Sequence, residues 1–184
     1  MKTLNKIITI SEGWLNKYLF KYSVDENDYD YEVISRNKIS NKDKLPTETN
    51  AVAIIPFTKE GKLLIIKEFR YAVNDYVWEF PAGLIDQGET AIEAAIREMK
   101  EETGLDVVEV LQEFPGAYSS VGMTDEKVAV VICRVEGEMN GSDGKEEIHV
   151  FEKTVDEVFE MVKNKKLKIS GRMQLFLAGL KMSI

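Results

Sequence analysis

Apolar and polar positions alternate in short runs along most of this chain, and the spacing becomes helical in only three places. Residues 17–24 and 29–35 are aromatic-rich, strand-like runs split by the polar Asp25-Glu26-Asn27-Asp28, a pattern that predicts a β-hairpin. The polar stretch 37–44, followed by Pro46, predicts a linker. From Asn50 onward, runs at 51–57, 62–69, 77–80, 107–114, 127–135 and 148–153 predict strands, with a turn at Lys59-Glu60-Gly61. Helices are predicted over 90–103, from 154 onward, and over 170–182. Thr90 with Glu93, and Thr154 with Glu157, form T-x-x-E capping boxes. Gly104 stands where a left-handed C-terminal cap belongs. The second helix has an apolar face of Val155, Val158, Phe159 and Val162, and the third turns Met173, Phe176, Leu177 and Leu180 inward. Few helices among many short strands predict a mixed α/β chain, divided into a β extension at 1–48 and a main domain at 49–184. A hairpin of this size is not stable alone, so it must pack on the rest of the chain or on a second copy.

The helix at 90–103 carries the most informative surface. At about 100° per residue, Ile92, Ile96, Met99 and Thr103 fall within about 60° of one another and form the predicted core face. Glu98, Glu101 and Glu102 lie on a separate arc, and Glu98 and Glu102 are four apart, one above the other. Ala91, Ala94 and Ala95 are small, which is expected to leave room for a ligand to approach the carboxylates. A row of glutamates is usually a solvated face. Here like charges at i,i+4 oppose the helix, and Lys100 lies on the far side, leaving only Arg97 near Glu101. Three oxygen donors on a rigid scaffold suit Mg²⁺ or Mn²⁺, with waters and substrate phosphates completing an octahedron. The glycines of Pro81-Ala82-Gly83 and Gly88 before the helix allow backbone to come close to such a ligand.

Charge and rare residues narrow the partners. A formal net charge of −8 argues against nucleic acid, which binds basic surfaces, but permits a small phosphorylated ligand whose charge a cation neutralises. The one cysteine, Cys133, lies in an apolar run and reads as a core thiol. The one histidine, His149, excludes a histidine metal cluster within the chain. No apolar run reaches the ~20 residues of a membrane span, and the first residues lack a signal-peptide pattern, so a cytoplasmic location is expected.

Residues 83–105, GLIDQGETAIEAAIREMKEETGL, resemble the Nudix box G-x5-E-x7-R-E-U-x-E-E-x-G-U at every defined position, U being a bulky apolar residue. Gly83, Glu89, Arg97, Glu98, Glu101, Glu102 and Gly104 take the fixed positions, with Met99 and Leu105 apolar. The resemblance implies a Nudix fold, an α/β/α sandwich around a mixed sheet, for residues 49–184. It also implies Mg²⁺-assisted attack of water on a diphosphate. Glu98 and Glu102 would be principal metal ligands, Glu101 would help bind metal or water, Arg97 would orient a glutamate, and Glu89 would support the site.

The flanking segments EFRYAVNDYVWEFPAG (68–83), SSVGMTDE (119–126) and EEIHV (146–150) are similar to the ADP-ribose pyrophosphatase branch. That similarity implies hydrolysis of ADP-ribose to AMP and ribose 5-phosphate. Arg70 would contact substrate, and Ala82 would offer its carbonyl to metal. An acidic residue before the strand at 148–153 would bind metal or act as base; Glu146 is the first choice, then Glu147. The N-terminal hairpin would exchange across a homodimer and help cover the nucleobase, where Trp14, Tyr31 or Arg36 would stack. Two positions depart from the branch pattern: Val121 stands in place of a proline, and Gly144 in place of an acidic residue. They leave the base open among Asp143, Glu146 and Glu147. They also keep a GDP- or UDP-sugar pyrophosphatase as the alternative, beside a non-catalytic nucleotide sensor and a hydrolase of modified nucleoside triphosphates.

Overall fold

The structure, a computed structural model, describes residues 2–25, 27–140 and 147–181. By their contacts the residues group into two compact units, 1–51 with 115–128, and 52–114 with 129–184.

The first unit is built on three antiparallel strands, β1 (Lys2–Ser11), β2 (Asn16–Val24) and β3 (Asn27–Ser35), in the order β1-β2-β3. β2 and β3 are the predicted hairpin. β1 was not predicted, and its register shows why. Two irregularities, at Leu4/Lys6 and Thr9/Ser11, break the alternation that marks a strand. The third strand gives the hairpin a core: Tyr18, Phe20 and Ile39 are buried, with Leu4, Ile7, Tyr22, Tyr31 and Val33 packed around them. The segment 119–126 is tied to β3 by Ile34 N–H donating to Met123 O at 3.0 Å, by Tyr31 Oη to Gly122 O at 2.5 Å, and by Ser35 Oγ to Asp125 Oδ2 at 2.8 Å.

The second unit holds most of a seven-stranded sheet. Its members are β4 (Ala51–Phe57), β5 (Leu63–Arg70), β6 (Asp75–Glu79), β7 (Ala82–Leu84), β8 (Asp106–Tyr118), β9 (Lys127–Glu136) and β10 (Ile148–Lys153). The order is β10-β5-β4-β9-β8, with β6 on β5 and β7 on β4. Successive residues of a strand face opposite sides, so each strand feeds two cores. Val52, Ile54, Leu64, Val131 and Cys133 pack with Ala94, Ala95 and Met99 of helix α1 (Ala91–Thr103). Ile55, Leu63 and Ile65 pack with Val158 of α2 (Val155–Lys163) and with Met173 and Leu177 of α3 (Gly171–Lys181). Helices cover both faces of one sheet, as expected of an α/β/α sandwich. None of the described helices is long and apolar enough to cross a membrane.

Both capping boxes form, and Gly104 closes α1 at φ 77°, a left-handed conformation that glycine takes without strain. Three expectations change. β8 runs on through Pro115 to Tyr118, since a strand at the end of the sheet order tolerates a residue without an N–H. Ile96 and Leu180, predicted inward, are exposed. Ala94 and Ala95, predicted to leave space beside the glutamates, are fully buried, because α1 needs small side chains to seat closely on the sheet.

Cys133 lies in the core between sheet and α1, and burial pushes its thiol up to about 12. We expect a thiol reagent at neutral pH to label it only as the chain unfolds. Rapid labelling of the native protein would place the sulfur at the surface.

Candidate active site

α1 delivers its three glutamates at graded depth. Glu102 is 4% exposed, Glu98 is half-buried, and Glu101 is exposed. The helix runs from a fixed start to a fixed stop, and β7 leads into it through the loop 85–90.

Arg97 holds that loop to the helix. Its Nε donates to Glu89 Oε1 at 3.0 Å and its Nη2 to Glu89 Oε2 at 2.9 Å, a bidentate pair. Nη2 also donates to Leu84 O at 2.9 Å, and Nη1 to Glu98 Oε1 at 2.7 Å, with Glu101 Oε2 at 3.5 Å. The Glu89 hydrogen bond, joined by Glu98 against the opposing effect of burial, holds the Arg97 pKa above its usual range. The Arg97 hydrogen bond, then that from the Asp86 amide, holds Glu89 below the usual carboxylate range. Both stay charged at neutral pH.

Gly83 explains how Glu98 reaches the loop. A Cβ on Gly83 would lie 1.9 Å from Glu98 Cδ and 2.0 Å from Oε1. The Glu98 carboxyl therefore rests against the Gly83 backbone, one residue after Ala82. Among the described residues no three Asp, Glu, His or Cys side chains are gathered into a ready-made cation cage. Glu98 is turned to Arg97 instead.

Arg70 ends β5. Its Nε donates to Glu79 Oε1 at 2.7 Å, and its Nη1 lies 2.8 Å from Glu68 Oε1. Burial works against its charge, but the Glu79 hydrogen bond and the charges of Glu79, Glu68 and Glu102 raise its pKa. Arg70 thus lies within the field of the deepest glutamate of α1. Glu68 and Glu79 are 6% and 7% exposed and were not singled out from the sequence. The available signal was a charged residue inside the apolar run of β5, aligned on the same face as Arg70.

Glu147 accepts a hydrogen bond from Tyr76 Oη, which raises the Tyr76 pKa, and His149 Nε2 lies 3.9 Å from it. In the β5–β6 register Phe69 pairs with Tyr76, whereas Glu68 and Arg70 alternate to the other face. Glu147 is thus bound to a tyrosine on the face away from Arg70. Glu146 and Asp143 lie outside the described residues. In the first unit, the Arg36 guanidinium sits 5.9 Å from the Trp14 ring centroid and 3.4 Å from Glu126 Oε1, and Trp14 is 76% exposed.

Comparison with known proteins adds the family. Residues 47–172 match the NUDIX domain. The ADP-ribose pyrophosphatase of Bacillus subtilis (strain 168) is 31% identical over 134 residues, 71% of this chain and 72% of that protein. The ADP-sugar pyrophosphatase of Mus musculus is 33% identical over 97 residues, 50% of this chain and 44% of its own length. A crystal structure of an ADP compounds hydrolase superposes with a TM-score of 0.78 over 98% of this chain and 94% of that one, at 21% identity, a likeness of fold. A box helix anchored by Arg97, in a chain matched over residues 47–172, belongs to the Nudix family, and the protein is a Nudix pyrophosphatase, a hydrolase of phosphoanhydrides.

Proposed function

We propose that the chain hydrolyses ADP-ribose to AMP and ribose 5-phosphate with Mg²⁺, Mn²⁺ serving in its place. The carrying observation is the excess of carboxylates about α1 and β5. Among the described residues, Arg70 pairs with Glu68 and Glu79 and lies in the field of Glu102, and Arg97 is shared by Glu89, Glu98 and Glu101, so each cation draws several carboxylates. An anionic diphosphate approaches such a surface only with a cation between them.

The donors fit a hard dication. They are all oxygens, and Glu98 rests against the backbone beside Ala82. Glu98, Glu102 and the Ala82 carbonyl would hold the ion, with Glu101 and Glu146 assisting. Once bound, Mg²⁺ would neutralise phosphate oxygens and acidify a water. The protein's own part is positional. Arg97 fixes Glu89, Glu98 and the loop between them; Arg70 receives a phosphate or ribose oxygen; a glutamate takes the proton of the attacking water as a P–O bond of the diphosphate breaks. Glu147 is occupied by Tyr76, which favours Glu146 as that base. Trp14 and Arg36 form the proposed nucleobase platform.

Segment 1–48 is proposed as the dimerisation element of a catalytic domain at 49–184, supported by exposed Ile10, Trp14, Leu15 and Tyr29. Sedimentation at the monomer mass would end that part of the proposal. A cytoplasmic site of action suits the single thiol.

A panel of ADP-ribose, ADP-, GDP- and UDP-sugars and nucleoside triphosphates, with Mg²⁺ and with chelator, tests the function. We expect ADP-ribose to be cleaved fastest, with loss of activity in chelator and recovery on adding Mg²⁺. Faster cleavage of a GDP- or UDP-sugar would select the second reading, which the departures at Val121 and Gly144 keep open. Binding of ADP-ribose without turnover would make the chain a sensor.

A further inference from the structure

Arg70 has more negative charge around it than an ion pair needs. β5 and β6 run antiparallel with Ile66 opposite Glu79 and Glu68 opposite Val77, which puts Glu68, Arg70 and Glu79 on one face. Both carboxylates are buried, while the arginine they hold is partly open to solvent. Burying a carboxylate is costly, and one partner would satisfy a surface arginine. Two buried carboxylates converge on one guanidinium, more than a single surface ion pair requires. Contacts at Nε (2.7 Å) and Nη1 (2.8 Å) fix both the position and the plane of the group. A planar fork held in this way meets a phosphate oxygen without first losing rotamer freedom.

We propose that Glu79, with Glu68 as a second arm, is a positioning residue that sets how tightly Arg70 binds substrate. This rests on Arg70 being a substrate contact, part of the function proposed above. It assigns Glu79 no part in the bond-breaking step.

Steady-state kinetics of Arg70→Ala, Glu79→Leu, Glu79→Gln and the Arg70→Ala/Glu79→Leu double variant test it. The probe is ADP-ribose at saturating Mg²⁺, or the nucleotide sugar that the panel selects in its place. Glu79→Leu keeps volume and removes the acceptor. It is expected to raise KM about tenfold with kcat within about twofold of the parent, the signature of lost uniform binding. Glu79→Gln retains an acceptor oxygen and should recover most of that loss. In the Arg70→Ala background Glu79→Leu should add nothing, because there is no guanidinium left to hold. If Arg70→Ala raises KM while Glu79→Leu does not, or if the two effects simply add, the clamp is overturned and Glu79 is structural. If Arg70→Ala leaves KM unchanged, the reading of Arg70 itself fails and the clamp with it. Should Glu79→Leu not fold, Glu79→Ala removes the acceptor with a smaller side chain, and an unchanged KM there overturns the proposal equally.

Discussion

Glu102→Gln is expected to lower kcat/KM by about two to three orders of magnitude while leaving the protein folded. A divalent cation held at the proposed site would stabilise the charge of the reacting phosphates by several kcal/mol, and each ~1.4 kcal/mol of barrier is about tenfold in rate. An amide in place of the deepest carboxylate of α1 would remove a charged donor from the proposed metal site without changing volume. Stability should hold or rise slightly, because a buried carboxylate is costlier to desolvate than an amide. The test combines turnover, thermal unfolding and calorimetric titration with Mn²⁺, whose affinity should fall in parallel. Near-normal turnover in a folded Glu102→Gln protein would remove Glu102 from the metal site.

Gly83→Ala should be almost as damaging, for a steric reason. The new Cβ would sit 1.9 Å from Glu98 Cδ, so one of them must move. Glu98 is a flexible side chain and Gly83 is backbone paired through β7 to β4, so Glu98 is the one that swings away. Its contact with Arg97 at 2.7 Å and its place beside Ala82 go with it. Gly83 is not among the positive-φ glycines, so alanine fits the backbone and costs the fold little. We expect turnover to fall at least about a hundredfold, because a proposed metal ligand is displaced together with its Arg97 support, with an unfolding temperature within a few degrees of the parent. Full activity in Gly83→Ala would mean that the Glu98 position seen here is not the one catalysis uses.

The two substitutions also mark what was legible in the chain. The position of Glu102 on α1 follows from spacing alone, because a helix repeats every 3.6 residues and its ends are set by Thr90, Glu93 and Gly104. The close contact between Gly83 and Glu98 was not legible. A glycine in a loop reads as conformational freedom, yet here its value is the absence of a Cβ, which only packing reveals. β1 was missed for a related reason, since its two register shifts erase the period of two on which strand reading depends. The alanines of α1 were misjudged because smallness alone does not say whether a residue borders a cavity or lets two elements touch.

By itself, the amino-acid order determined the α/β class and the capped helix with Glu98, Glu101 and Glu102 on one arc. Each depends on contacts within a few turns of chain, where spacing fixes distance. Only the tertiary structure decided that Glu68 and Glu79 close on Arg70, that Glu102 is buried while Glu101 is not, and that Glu147 turns to Tyr76. Those outcomes depend on strand register and on which face a neighbouring element covers. Register and coverage arise from pairings between distant segments, so no local pattern carries them.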